Sequence, residues 1–231
     1  MERIVLPELL DGLPARDESA LRSRRDLRRL NAWMGHPQIM ADVLQKYFPD
    51  RNGCQIVELG AGDGHFILSM ARRLRGQWPD ATVTLVDRLD VLDSQTREYL
   101  HQLGWRVNVE IAEVSDWLQH ASQPATTAII SNLFLHQFQP EPLAELLRLA
   151  GRSSRVVIAL EPRRSWLPQL CGRLLWAIGC GPVTRHDAHN SIRAGFSSNE
   201  LSALWPDKEN WELDERPIGL FSHLFIARRK H

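Results

Sequence analysis

Three groups of residues carry the chemistry this chain can do. The first is Glu58-Leu59-Gly60-Ala61-Gly62-Asp63-Gly64, between the apolar run Gln55-Ile56-Val57 and Phe66 to Ala71. Three glycines at alternate positions between a strand and a helix mean a backbone that turns sharply and leaves room for a ligand. The helix start then offers unpaired N–H groups and partial positive charge to an anionic part of that ligand. A dinucleotide fingerprint would be Gly-x-Gly-x-x-Gly, with its third glycine where His65 stands; this chain has Gly-x-Gly-x-Gly. The second is Asp87, which ends the next strand about 20 residues on, where a doubly wound nucleotide site places a carboxylate on ribose hydroxyls. The third is Asn132-Leu133-Phe134-Leu135-His136-Gln137-Phe138, after the fourth strand. In an open parallel sheet the ligand crevice lies beyond the strand C-termini at the switch point, so this segment faces any reacting group.

Strand and helix patterns alternate from Cys54 onward, the signature of a parallel sheet with crossover helices. Strands are expected at Gln55–Val57, Thr82–Val86, Arg106–Ala112, Ala128–Ile130 and Arg155–Leu160. Helices are expected over about Gly64–Arg75, Val91–Leu103, Trp117–His120 and Pro140–Ala150, the last stopped by Gly151. Ahead of the sheet lie a helix over Ala15–Met34, rich in arginine, and another over Gln38–Phe48, separated by Gly35-His36-Pro37. Pro49 to Gly53 reads as a loop. The arginine helix is either a solvated helix packed on a core or a mobile cap over the site, and both readings stay open. Ser165 to Val183 is apolar but broken by Pro168, Gly172 and Arg173; it suits the wall of an apolar ligand pocket or ordinary core packing. Thr184 to Asn190 reads as a polar loop at the pocket rim. Its His186, Asp187 and His189 are too crowded for a metal site, so no metal is expected. Ser197-Ser198-Asn199-Glu200 is a capping box, and Trp211–Arg216 and Ser222–Arg228 read as two strands turning at Pro217-Ile218-Gly219.

The glycine spacing, with an acid two residues before the first glycine, resembles motif I of the class I methyltransferases that use S-adenosylmethionine. The segment after strand four resembles motif IV of the small-molecule members. It lacks the Asn-Pro-Pro-Tyr type sequence of many amino-group methyltransferases, which argues against adenine, cytosine or glutamine amides as acceptors. Ala194-Gly195-Phe196-Ser197 running into Glu200-Leu201 resembles the last helix of many such enzymes. The resemblance implies an α/β, Rossmann-like doubly wound sheet, mostly parallel with an antiparallel C-terminal edge hairpin. It divides the chain into a helical cap over 1–50 and a cofactor-binding domain over 51–231. It implies S-adenosylmethionine contacts from Glu58, Gly60, Ala61, Gly62, Gly64, Asp87, Arg88, Ser115, Asp116 and Asn132. Asp116 would read the adenine amine, or Ser115 or Asp116 would simply cap a helix. Phe134, Trp166, His186 and His189 would line the acceptor, which is expected to be small and apolar or aromatic, methylated on oxygen or carbon rather than nitrogen. His136, with an ordinary pKa near 6.5, would act as general base or else be a structural histidine.

Two other functions share these features. A nicotinamide-dependent oxidoreductase uses the same strand-turn-helix, though with different glycine spacing. A cofactor-binding module without catalysis would serve as a partner subunit. Lys plus Arg and Asp plus Glu number 28 each, so nothing in the charge favours nucleic acid or an anionic membrane as main partner. No stretch nears the roughly 20 apolar residues that span a bilayer, so no stable membrane insertion is expected. The start of the chain shows no secretion signal, and Cys54, Cys171 and Cys180 show no metal spacing; a cytoplasmic protein is expected. A homodimer is left open.

Overall fold

Period-two burial builds the sheet. In β1 (Gln55–Leu59) Ile56 faces one apolar cluster while Val57 and Leu59 face another. In β5 (Val156–Pro162) Val156, Ile158 and Leu160 alternate with Val157 and Ala159 in the same way. Strands buried on both faces are those of a sheet with helices on each side. The computed structural model describes residues 1–47, 53–78, 80–121 and 127–230. Phe48 and residues 49–52 of the expected loop lie outside the described residues.

The other strands are β2 (Thr82–Asp87), β3 (Arg106–Ile111), β4 (Thr127–Asn132), β6 (Trp211–Ile218) and β7 (Ser222–Arg229), in the order β3-β2-β1-β4-β5-β7-β6. The first five are parallel and the β6–β7 hairpin is antiparallel, with β7 paired to β5. This is the expected Rossmann-like sheet. The strand order reverses at β1, between β2 and β4, which opens a crevice beyond their C-termini. Leu59 pairs with Val86 on one side and Ser131 on the other, so Gly60 emerges beside Asp87 and Asn132.

The helices in chain order are α1 (Glu18–Trp33), α2 (His36–Tyr47), α3 (His65–Arg73), α4 (Ser94–Gln102), α5 (Val114–His120), α6 (Pro140–Ser153), α7 (Trp166–Gly172), α8 (Pro182–Ala194) and α9 (Glu200–Leu204). Met40 and Leu44 of α2, Met70 of α3 and Leu100 of α4 share one cluster with Ile56 and Val83. Leu118 of α5, Leu147 of α6 and Leu201 of α9 pack with Val57 and Phe225 on the opposite face. Burying each such side chain contributes about 1.5–3 kcal/mol.

Several elements differ from expectation for visible reasons. The helix break is Met34 and Gly35, the latter at φ 72°, and α2 begins at His36 with Pro37 in its first turn, where a missing N–H costs nothing. Helix α6 runs through Gly151 to Ser153, because the bare Cα makes room for Trp205; a Cβ there would lie 3.2 Å from its ring. The expected loop Thr184–Asn190 is inside α8, started by Pro182 and packed through Thr184, Asp187 and Asn190. Helix α5 starts at Val114, three residues ahead of the expected start, so neither Ser115 nor Asp116 caps it; Glu113 stands at the N-cap position without a side-chain hydrogen bond. The broken run after β5 forms α7 and a 3-10 turn, Leu175–Ile178. The hairpin turns at 219–221 rather than 217–219.

Candidate functional site

Gly60, Gly62 and Gly64 all have positive φ, 69°, 54° and 72°. At Gly60 a Cβ would stand 2.3 Å from the Phe134 ring, and at Gly64 2.4 Å from Leu92, so both positions demand glycine. The turn is tied to β2: the Gly60 N–H donates to the Val86 carbonyl (2.9 Å) and the Gly62 N–H to Asp87 Oδ2 (2.8 Å). Asp87 Oδ1 accepts from the Leu89 N–H (2.9 Å), so one carboxylate shapes the loops after both β1 and β2. Each of its oxygens keeps a lone pair for a ligand. Glu58 is 2% exposed and its Oε2 has no hydrogen-bond partner. Burial, with Asp63 and Asp87 alongside, pushes its pKa well above the usual carboxylate range. A buried carboxyl with an orphan oxygen in a cavity wall fits a ligand that brings a cationic group.

The second half of the site is the loop after β4. Its shape comes from Glu161, fully buried in β5, which accepts from the backbone N–H groups of Phe134 (3.1 Å), Leu135 (2.9 Å) and His136 (3.3 Å). Glu161 also takes His136 Nδ1–H at 2.8 Å. The other ring nitrogen, Nε2, lies 3.2 Å from Oε1 of Glu8, whose Oε2 accepts from Gln137 Nε2 at 3.1 Å. Burial opposes charge on the imidazole, but hydrogen bonds to Glu161 and Glu8 outweigh it and raise the pKa to about 9. The expected ordinary value near 6.5 is therefore corrected: in this arrangement His136 is a cation at neutral pH. For Glu8, burial is likewise outweighed by hydrogen bonds from His136, Ser191 and Gln137, which lower its pKa.

Asn132 is fixed from two sides. His36 Nδ1–H donates to its Oδ1 (2.6 Å) and its Nδ2 donates to Asn31 Oδ1 (3.1 Å), while His36 Nε2 accepts from Ser222 Oγ (2.6 Å). Burial holds His36 down to about 4, against the pull of the Asn132 hydrogen bond, so this histidine is neutral. The N-terminal segment crosses over the crevice and is pinned along its length. Arg3 donates to the carbonyls of His136 and Phe138 (2.9 Å each), and Asp187 receives the N–H groups of Leu9 (2.8 Å) and Leu10 (2.9 Å). Arg28 of α1 pairs with Asp63 of the glycine turn at 2.8 Å, and Arg88 with Asp11 at 3.1 Å.

These parts enclose a cavity of about 820 Å³. Glu58, Gly60, Ala61, Gly62, Asp87, Arg88, Asn132, Phe134 and His136 all line it. Gly64 lies just beneath, capping α3. The structure does not bring Ser115, Asp116, Trp166, His186 or His189 to this wall. Between β3 and α5 the wall is Ala112, Glu113 and Val114, because the early start of α5 turns Asp116 outward into solvent. Trp166 is 71% exposed, and His186 bonds to its neighbour Asp187 on α8. Glu8, Asp63 and Glu161 were not singled out from the sequence. Glu161, an acid ending a strand beside the switch point, gave a signal of the same kind as Asp87. Glu8 sits in a segment without pattern and gave none.

Sheet order, hairpin and crevice together define the class: a Rossmann-like methyltransferase fold. No protein-family model and no curated protein sequence matches the chain. Among solved structures, an O-methyltransferase family protein from Burkholderia thailandensis superposes with a TM-score of 0.60 at 19% identity, over 93% of this chain. This chain spans 61% of that protein's length. Magnesium protoporphyrin IX methyltransferase from Synechocystis, with bound SAM, gives a TM-score of 0.59 at 12% identity, covering 93% of this chain and 92% of that one. An O-methyltransferase family 2 protein from Planctomyces limnophilus, in complex with apigenin, gives 0.58 at 15% identity, covering 94% and 63%.

Proposed function

We propose that this protein transfers a methyl group from S-adenosylmethionine to a small apolar or aromatic acceptor, at oxygen or carbon. The observation that carries the reading is the pairing, in one cavity, of the orphan Glu58 carboxyl beneath the glycine turn with an imidazole backed by a carboxylate. When bound, S-adenosylmethionine supplies an electrophilic methyl group, so the protein's task is mainly to orient the acceptor and manage its proton. Glu58 would take the ammonium of the methionine portion, which relieves its own buried, like-charged surroundings. Asp87 would accept from the ribose hydroxyls, and Gly60 and Gly62 let the backbone come close. Ala61, Arg88 and Asn132 complete that wall in this reading, with Gly64 shaping the start of α3, while the adenine role of Ser115 and Asp116 passes to the Ala112–Val114 backbone.

Phe134 faces the acceptor side. His136 becomes a base when Glu8 moves off Nε2: with that carboxylate gone the ring holds its proton less tightly and releases it from Nε2 to solvent, Glu161 keeps Nδ1–H, and the neutral Nε2 can then take a proton from a hydroxyl or acidic carbon. The N-terminal segment through α1 acts as the lid that makes and breaks the Glu8 contact. A homodimer, cytoplasmic residence and the absence of nucleic-acid partners complete the proposal. The test is transfer of isotopically labelled methyl to a panel of phenolic acceptors. His136→Gln should lower turnover by about 10²–10⁴-fold with little change in adenosylhomocysteine affinity. Binding of adenosylhomocysteine with no transfer to any acceptor would favour the non-catalytic module instead.

A further inference from the structure

The stretch after β5 has two faces. Inward, Pro168, Cys171 and Leu175 wall the cavity. Outward, Trp166 is 71%, Leu170 50% and Trp176 62% exposed. Leu174 and Ile178 belong to both, lining the cavity while 53% and 52% exposed, so the apolar surface runs unbroken from the exterior into the site. Exposed apolar groups concentrated in so short a stretch mark an interaction surface rather than chance.

Positive charge predominates beside this patch. Between Glu161 and Asp187 the chain carries no carboxylate, although its acids and bases balance overall. Helix α1 lies against the patch: Arg29 Nη2 donates to the Ile178 carbonyl (3.0 Å) and Arg22 Nη2 to that of Gly179 (3.2 Å). Arg22, Arg25 and Arg29 share the exposed face of α1 and lead to Trp33, which is 69% exposed. Arg29 also pairs with the buried Asp26, but among the described residues Arg22, Arg25 and Arg173 form no ion pair. Tryptophan and leucine rimmed by arginine match the interface of an anionic bilayer, with apolar groups among the acyl chains and guanidinium groups on the phosphates.

We propose that the face formed by α7, the 3-10 turn Leu175–Ile178 and the basic side of α1 docks peripherally on an anionic lipid surface. The cavity mouth then opens onto the bilayer, and an apolar acceptor enters past Leu174 and Ile178 without crossing water. The docking is independent of the methyl-transfer reading; the route for the acceptor rests on it.

The experiment is vesicle flotation of the full chain, with phosphatidylcholine alone or mixed with phosphatidylglycerol, and tryptophan quenching by brominated phosphatidylcholine. The chain should float with the mixed vesicles, lose affinity as salt rises, and be quenched. Leu170→Ser with Trp176→Ser, and separately Arg25→Glu with Arg173→Glu, should each weaken partition by about tenfold or more. Adenosylhomocysteine binding, measured on the same samples, reports on the cofactor reading separately. The proposal is overturned if the chain never floats, or if neither double variant changes partition. It is equally overturned if sedimentation shows the apolar variant dissolving a dimer or a complex with an acidic protein while vesicles bind nothing.

Discussion

Glu161→Gln tests how the site is held. Glu161 is fully buried and receives three backbone N–H groups and the imidazolium of His136. Glutamine keeps the shape and one accepting oxygen, but leaves a buried cation with Glu8 as its remaining counter-charge. Breaking one side of a buried pair costs about 3–5 kcal/mol. At this chain length roughly 2–4 °C of Tm goes with each kcal/mol, so the loss near pH 6 should be about 6–20 °C. The size must depend on pH. His136 sits at about 9 when folded, against about 6.5 unfolded, a gap of roughly 3 kcal/mol. Because the folded value is the higher one, that stabilisation is fully present below about pH 6.5 and is lost as pH climbs through about 9. The difference in unfolding free energy between wild type and Glu161→Gln should therefore shrink from about pH 6 to about pH 10, toward the 1–2 kcal/mol of ordinary hydrogen bonds. Urea titrations followed by tryptophan fluorescence measure it, and groups titrating elsewhere cancel in the difference. A gap that stays constant over this range would refute the clamp.

Gly60→Ala should cost about 2–5 kcal/mol, from left-handed strain plus the Phe134 collision, whereas Gly62→Ala, with nothing within 4 Å, should cost only the strain of about 1–2 kcal/mol; equal losses in denaturant would sink the packing argument. Glu58 has a raised folded pKa, so it weakens the ligand-free fold as pH rises through the carboxylate range. Glu58→Gln should raise Tm at neutral pH and weaken adenosylhomocysteine binding by about tenfold or more, read by calorimetry. Glu8→Gln removes one of the two carboxylates that hold His136 charged in the free enzyme, so the rising limb of kcat/KM against pH should move to lower pH; an unmoved limb would take the base role from His136.

What was legible in the sequence was whatever depends on local pattern. Alternating burial placed the strands, and the alternate glycines of the turn implied the positive φ found at Gly60, Gly62 and Gly64. Asp87 and Asn132 followed from their position at strand ends, since parallel pairing fixes where those ends meet. What was not legible depends on long-range contact. The His136 pKa is set by Glu8 and Glu161, which approach the ring only in the folded chain. Helix α8 was hidden because its buried stripe is polar: Thr184 bonds to α1 and Asp187 to the N-terminal segment, with Asn190 buried alongside, instead of forming an apolar face. Trp166 was expected at the acceptor by its type, and only the turn after β5 decides that it points outward.

The central claim is that the crevice at the end of β1 holds S-adenosylmethionine, and ligand binding to the full chain tests it most directly. Titrated calorimetrically, adenosylhomocysteine should bind and raise Tm, NAD and NADP should do neither, and Asp87→Asn should weaken the adenosylhomocysteine signal by about tenfold or more through its charge-assisted bonds. Stabilisation by a nicotinamide dinucleotide, with no response to adenosylhomocysteine, would contradict the account.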